Sequence, residues 1–559
     1  MFNYPYQKDQ IVTPTKALFL GLLCTIWLLT GLIGHDPWKP DEAYSFGLVY
    51  HIIQSGEWLV PTLAGDVFIE KPPLFYWTAA VFAKVFAPLL PLHDGARLAS
   101  GFYMALTLLF TALTGREFFG RSAGWTSVII LIGSLGILTR AHLLVTDLAL
   151  LTGCAMMIYG YALSARRHFL AGFLLGTGVG IGFLAKGFIA PVFFILISAG
   201  LLFIPAWRTR NFYNTLGSAL LSLLPWLIIW PALLYLRSPD LFFEWAWQLN
   251  IQKWFDYARG GSYPDIFYYL TMLPWYAWPA LPLAIWSVWE ARRKISRSIE
   301  FQLMLITFGV MLLALSLAPR INDLCGMPLL LPLTLLATGA LFTLRRGAAN
   351  ALDWFSIMTF ALLAILLWWG WTGLLVDSPA KITHLLKEYR PGFEPYFQRN
   401  PFIIAVTVSV LWVVLVWRVG RSIRRSVINW AAGATLLWIL GVTIWMPWLN
   451  SSKSYRVVMQ SLKQALPEKY VCMSGQGVGV SERAMLQYYA GITLRAKPRP
   501  ECDLLLLEGR KLSQFNQDLT HWQKLWEGGR RGDQSERFWL FKRKDSGACS
   551  ITPSTSCAY

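Results

Sequence analysis

The chain has 559 residues, 55% hydrophobic and only 14% charged, with 28 Trp and a mean hydropathy of +0.46. This composition excludes an ordinary soluble enzyme and marks a multi-pass membrane protein. The formal charge of +18 does not indicate nucleic acid, because Lys and Arg fall in short clusters between apolar runs, where they set orientation across a bilayer.

A hydrocarbon core about 30 Å thick takes roughly 20 apolar residues per helix, and by that measure about thirteen spans are predicted. They lie near 17–34, 96–114, 122–139, 145–164, 170–185, 188–206, 215–236, 266–289, 301–318, 327–344, 352–374, 401–418 and 428–449. The first has no small-residue cleavage site behind it and reads as a retained anchor. Arg116/Arg121, Arg166/Arg167, Arg208/Arg210, Arg292/Arg293/Lys294, Arg345/Arg346 and Arg421/Arg424/Arg425 recur at every second connection. That side is predicted to be cytoplasmic, and the other connections and the tail after Asn450 to lie outside.

The first outer loop, 35–95, carries Asp36, Asp41, Glu42, Glu57, Asp66 and Glu70. A short helix is predicted over 41–54, with Pro40 at its start and Asp41 and Glu42 at its positive end. In FIEKPPLFYW (68–77), Pro72 and Pro73 make a rigid elbow. The apolar segment behind it, 74–90, is read as a helix lying at the outer interface, since Lys84 at the bilayer centre would cost about 2.5–3.5 kcal/mol. Within the tail, strands are predicted at 470–474, 503–509 and 537–543 and a helix at 481–491 closed by Gly491, giving a small α/β unit. GQGVG (475–479) sits between a strand and a helix but lacks the full nucleotide fingerprints. Cys472, Cys502, Cys549 and Cys557 permit disulfides in three connectivities. Residues 1–450 are thus expected to form the membrane domain and 451–559 a soluble domain with a loose end.

Ionisable residues near a membrane pair with one another or line a wet cavity. On this topology Asp41, Glu42, Glu70, Lys71, Arg97, Arg140, Asp147, Lys186, Lys253, Arg259, Arg320 and Asp323 all fall on the outer side. Cations with a few carboxylates there suit an anionic head group whose hydrocarbon stays in lipid. A sugar leaving a lipid phosphate needs positive charge on that phosphate, which Lys71 and Arg320 can supply. A carboxylate across the reacting carbon, such as Asp41, can orient the acceptor or take its proton. The plainer readings are that Asp41 charge-matches its helix, that Glu70 neutralises Lys71 or Lys84, that Asp147 pairs with Arg140, and that Arg97 and Lys186 are ordinary interfacial residues. His35, His51, His93 and His142 have no tight metal spacing. Glu70 with another outer ligand can take a divalent ion. The Trp- and Tyr-rich loops 241–254 and 263–279 read as an interfacial belt that can also stack on a sugar.

The order PDEAY, SGEWLVPTLAG, FIEKPPLFYW, RLAS, RAHLLVTD, LPW resembles the polyprenyl-phosphate-sugar glycosyltransferases of the GT-C fold. Within them it looks closest to the aminoarabinose transferases that modify lipid A, and more broadly to the protein O-mannosyltransferase-like group. The resemblance implies Asp41 and Asp147 as catalytic residues and Lys71, Glu70, Glu42, Tyr44, Lys253 and Arg320 around the lipid phosphate and sugar, with Glu70 beside a metal in some members. It implies a bacterial inner-membrane enzyme with a periplasmic site, moving a sugar from undecaprenyl phosphate to lipid A. Transfer to a protein or another glycan is a second reading, and a lipid flippase a third. The chain departs from the family at Tyr44, where Arg is common, at Phe68, where Tyr is common, and in the less basic PRINDLCG.

Overall fold

The computed structural model describes residues 13–252, 267–318, 321–341, 343–378, 384, 386–388, 393–418, 424–495, 501–515, 519–530 and 536–544. It is predominantly helical, as expected from the composition. Seven of its helices are long and apolar enough to cross a membrane alone, and an eighth crossing arises if Arg121–Gly133 and Leu135–His142, bent by 76°, count as one. Five further apolar helices have 10–17 residues. The thirteen predicted spans therefore do not each appear as one long helix. The segment 266–289 is divided into Tyr268–Tyr276 and Ala280–Ala291 by the Trp278–Pro279 pair, whose ring nitrogen has no proton to donate to a helix ladder. The segment 122–139 turns at Ser134, which is extended (ψ 123°).

Four elements frame one end of the bundle. Helix α1 (Pro14–Leu29) leads into helix α2 (Asp41–Ser55), which begins directly after Pro40 with Asp41 and Glu42 in its first turn and ends at left-handed Gly56. A two-residue hairpin follows, β1 (Thr62–Leu63) paired with β2 (Asp66–Val67). The Lys71–Pro73 elbow then opens helix α3 (Leu74–Phe86), whose 13 residues span about 20 Å, short of the hydrocarbon thickness. Helix α3 packs on helix α4 (Leu92–Phe119) and on α2. Its Phe75 and Tyr76 are fully buried, Trp77 Nε1 donates to Trp58 O at 2.5 Å, and the Lys84 ammonium lies over the Trp58 ring at 5.4 Å.

The tail carries a four-stranded sheet, in the order β3 (Met473–Gln476), β4 (Leu504–Gly509), β6 (Arg537–Arg543), β5 (Trp522–Gly529). Strand β3 is parallel to β4, and the other two pairings are antiparallel. The helix Val480–Ala490 closes at Gly491 as predicted. Strand β5 and the helix Arg456–Gln464 had no counterpart in the sequence reading; β5 is half exposed and lacks the apolar run that flagged its neighbours. Cys472 and Cys502 form a disulfide, which selects that pairing, while Cys549 and Cys557 lie outside the described residues. The helix Val480–Ala490 lies on α2 closely enough that a Cβ at Gly47 would come within 2.5 Å of the Ala484 Cβ.

Candidate active site

Residues from five separate stretches meet at one end of the bundle. Asp41, at the first position of α2, is half-buried, and its charge is coupled to Lys71, Asp147, Lys186 and Asp323. Burial raises its carboxyl above the usual range; Lys71 and Lys186 oppose that rise, and Asp147 and Asp323 add to it. A carboxylate made more basic in this way is better able to accept a proton. Tyr44, one turn along α2, takes a short hydrogen bond from Lys71 Nζ, and the ammonium also lies 5.0 Å from the centre of the Tyr44 ring. The elbow explains this placement, because Pro72 and Pro73 hold Lys71 in non-helical backbone while α3 is fixed by its buried face.

Asp147 heads the helix Asp147–Leu163 and is buried. Its partner is Lys186 Nζ at 2.7 Å, not Arg140. Lys186 ends the helix His168–Lys186 and also lies 3.7 Å from the Cys325 sulfur, so reading it as an ordinary interfacial residue is corrected. The signal in the sequence was a Lys closing a 19-residue apolar helix with no acid on its own element. Arg140 instead pairs closely with Asp323 and lies over the Tyr276 ring at 5.2 Å. Tyr276 and Tyr269 donate to the carbonyls of Asp323 (2.8 Å) and Asn322 (3.1 Å), fixing that loop. Tyr76, from the elbow motif, is missed by the sequence reading. Its buried hydroxyl has no hydrogen-bond partner among the described residues, and it lies in the field of Lys71, Tyr44, Lys186 and Glu70.

Glu42 points away from this group. Its carboxylate accepts from Arg97 Nε at 2.6 Å, from Trp38 N at 3.0 Å and from Leu144 N at 3.2 Å. Arg97 also donates to Asp94 (2.7 Å) and to the carbonyls of Leu32 and His35, and it is entirely buried. Two sequence expectations are corrected here: Arg97 is an internal hub instead of an interfacial residue, and Glu42 serves α2's attachment to that hub instead of the substrate side. Glu70 belongs to the same neighbourhood, coupled to Tyr44 and Tyr76. The expected roles of Lys253 and Arg320 lie outside the described residues.

Glu70 is not part of a group of three His, Cys, Asp or Glu ligand atoms among the described residues. Among the described residues, the grouping of three ligand atoms within 4.8 Å is elsewhere, at Glu482, Glu508 and Glu536 of the tail. There, Glu536 is contacted by Arg530 at 2.5 Å and by Lys39 Nζ at 3.4 Å, so counter-charge is already present. The Tyr455 hydroxyl lies between the two carboxylates, 2.9 Å from Glu536 and in close contact with Glu482. The GQGVG turn serves this cluster: Gly479 N donates to Glu508 Oε2 at 3.1 Å. Burial, and then the charge of Glu482, push the Glu508 carboxyl up to about 8. Burial also raises Glu482. For Glu536 burial acts upward too, and Arg530, Tyr455 and Lys39 outweigh it, leaving the group below the usual range.

Because Glu508 is raised from 4.5 to about 8 in the folded chain, its favourable contribution is complete below pH 4.5 and is lost as pH rises through 8. Glu508→Gln is therefore expected to raise the melting temperature at pH 8 by about 2–4 °C and to change it little at pH 4.5. Thermal unfolding at the two pH values checks this, and an equal effect at both would contradict it.

The chain has relatives among known proteins. Residues 70–234 match the family model described as dolichyl-phosphate-mannose-protein mannosyltransferase. An undecaprenyl phosphate-alpha-4-amino-4-deoxy-L-arabinose arabinosyl transferase of Pseudomonas aeruginosa (strain UCBPP-PA14) is 27% identical over 431 residues, covering 74% of this chain and 72% of the relative. The enzyme of the same description from Yersinia enterocolitica is 26% identical over 494 residues, 83% of this chain and 81% of its own. The crystal structure of ArnT from Cupriavidus metallidurans bound to undecaprenyl phosphate superposes with a TM-score of 0.66 at 16% identity, covering 94% of this chain and 97% of that one. The chain is similar over most of its length to polyprenyl-phosphate-sugar glycosyltransferases of the GT-C fold. It is an enzyme of that class, and the GT-C architecture accounts for the long acidic loop between the first two spans and for the small sheet domain behind the bundle.

Proposed function

We propose that the chain transfers 4-amino-4-deoxy-L-arabinose from undecaprenyl phosphate to a phosphate of lipid A, at the periplasmic face of the inner membrane and with inversion at the anomeric carbon. The observation that carries this reading is the meeting of Asp41, Lys71, Asp147 and Lys186 in one group, in a chain whose relatives are named for that transfer. The sidedness rests on the alternating Arg clusters. Residues 1–450 act as the catalytic membrane domain and 451–559 as its periplasmic companion.

In this mechanism the bond between the sugar's anomeric carbon and the lipid phosphate oxygen breaks while an acceptor oxygen bonds the opposite face of that carbon. Undecaprenyl phosphate leaves as an anion, so the group that matters on its side is positive. Lys71 supplies that charge next to the Tyr44 hydroxyl, with Lys253 and Arg320 as further cations for the phosphate and Glu70 beside it. Lys186 is neutralised by Asp147 and keeps that carboxylate fixed, which leaves Asp41 to face the acceptor.

Asp41 also separates the two classes of acceptor. A phosphate is already ionised and asks only to be oriented, whereas a protein Ser/Thr or a sugar hydroxyl must lose a proton. Purified enzyme with the undecaprenyl-phosphate-linked donor is expected to modify lipid A in a mass-spectrometric assay, and Asp41→Asn to lower that rate by about tenfold. Loss of about 10²–10⁴ is the value for a reaction that needs a general base. Unmodified lipid A alongside a glycosylated peptide would replace this reading with protein glycosylation.

A further inference from the structure

The reaction centre assigned above begins at Asp41, and the five residues before it, besides their bonds to the first turn of α2, are tied to Asn450 and to the tail. Asp36 pairs with Arg456 at 2.5 Å and accepts from Ser454 Oγ at 2.6 Å. Trp38 Nε1 donates to Asn450 Oδ1 at 2.8 Å, and the Lys453 ammonium lies 5.0 Å from the centre of the Trp38 ring. Lys39 donates its backbone N–H to Lys453 O at 3.4 Å and extends Nζ to Glu536 at 3.4 Å. Nearest to the site, Ser481 Oγ donates to the carbonyl of Pro40 at 2.7 Å, one peptide before Asp41. From the other side, Glu42 on Arg97 fixes the next residue.

We infer that the soluble tail is part of the catalytic apparatus, with Ser481 as a positioning residue that sets Asp41 through the Pro40 carbonyl and the Lys39–Glu536 pair as a second tether. This rests on the reading of Asp41 as the acceptor-side carboxylate. Pro40 has no N–H of its own to hold it in a ladder, so its carbonyl is the backbone handle available at that point. The hydroxyl that grips it is itself well placed: Ser481 lies between Gly479, bonded to Glu508, and Glu482, bonded to Tyr455. The close approach of Ala484 to Gly47 and the Arg483–Asp66 pair at 2.6 Å seat the same helix on α2 and on the hairpin. A carboxylate moved by a fraction of an ångström loses alignment without losing the fold, and misplacement of about 1 Å costs about 10²-fold in rate.

The effect therefore appears in turnover and not in donor affinity, because Lys71 is positioned by the elbow and Tyr44. Full-length enzyme in lipid nanodiscs, assayed with undecaprenyl-phosphate-linked 4-amino-4-deoxy-L-arabinose and lipid A, tests this. Ser481→Ala is expected to lower kcat by about three- to fivefold, less than Asp41→Asn, with the donor KM within about twofold and the melting temperature unchanged; Lys39→Met is expected to act in the same direction more weakly. Wild-type kcat in both variants, or a fall matched by loss of melting temperature, would overturn the tether. Asp41→Asn measured alongside separates the failures: if it is impaired while Ser481→Ala is not, the tether alone is wrong, and if Asp41→Asn turns over like wild type, the assignment of Asp41 on which the tether rests is wrong.

Discussion

Lys71→Ala is expected to lower kcat/KM for the lipid-linked donor by about 10²–10³, the loss typical of removing one preorganised donor to a developing anion. Lys71 is half-buried beside Tyr44, in a region otherwise lined by carboxylates and by a lysine already neutralised by Asp147. No other described cation in the group is both near Asp41 and uncommitted to a close carboxylate pair, since Arg140 is paired with Asp323. Lys71→Arg keeps the charge but carries it on a planar fork that cannot reproduce the ammonium's seat on the Tyr44 ring and hydroxyl, so partial activity is expected. Because Lys71 sits on an elbow and not in the core, the melting temperature of both variants should match wild type. Steady-state kinetics with purified enzyme checks this, and a Lys71→Ala enzyme with kcat/KM within about threefold of wild type would contradict the role.

Arg97→Met is expected to destabilise the protein by about 3–5 kcal/mol, because it leaves two carboxylates buried without their counter-charge. Arg97 is fully buried and holds Glu42 and Asp94 at 2.6 and 2.7 Å, while the carbonyls of Leu32 and His35 accept its remaining protons. The hub joins α1's exit, α2 and α4, so its loss should free the N-terminal end of α2 and with it Asp41. Adding Glu42→Gln to Arg97→Met removes one of the stranded charges and is expected to recover part of the stability. Thermal inactivation in detergent gives the measurement; a double variant no more stable than the single one would show that the cost lies in packing and not in charge.

The helical class and the tail's mixed α/β character were legible because both follow from local patterns. Apolar runs of span length are hard to mistake, and Asp41–Ser55 and Arg537–Arg543 carry their own start, stop and alternation signals. Part of the candidate site was legible for the same reason: Asp41, Lys71 and Asp147 stand out as charges at the ends of apolar segments, and the structure brings them together. Partnership was not legible. Asp147 lies seven residues from Arg140 in the sequence yet pairs with Lys186, because the Arg140–His142 turn sends Arg140 towards Asp323, while the helix following Asp147 packs on the helix ending at Lys186. Arg97 and Glu42 are 55 residues apart, and nothing local distinguishes a buried hub arginine from one at the interface. Tyr76 read as one more apolar ring. Strand β5 was missed because an edge strand with one wet face carries a weak pattern.

The proposed mechanism requires that charges from distant segments form one outward-facing pocket that holds a polyprenyl phosphate. Single cysteines at positions 41, 71 and 323, in a chain with Cys24, Cys154, Cys325, Cys549 and Cys557 changed to Ser, can be labelled in spheroplasts with a membrane-impermeant thiol reagent, with and without undecaprenyl phosphate. All three should react from the outside, and undecaprenyl phosphate should slow labelling at 71. Reaction split between the two faces of the membrane, or no protection at 71 at saturating lipid, would contradict the account.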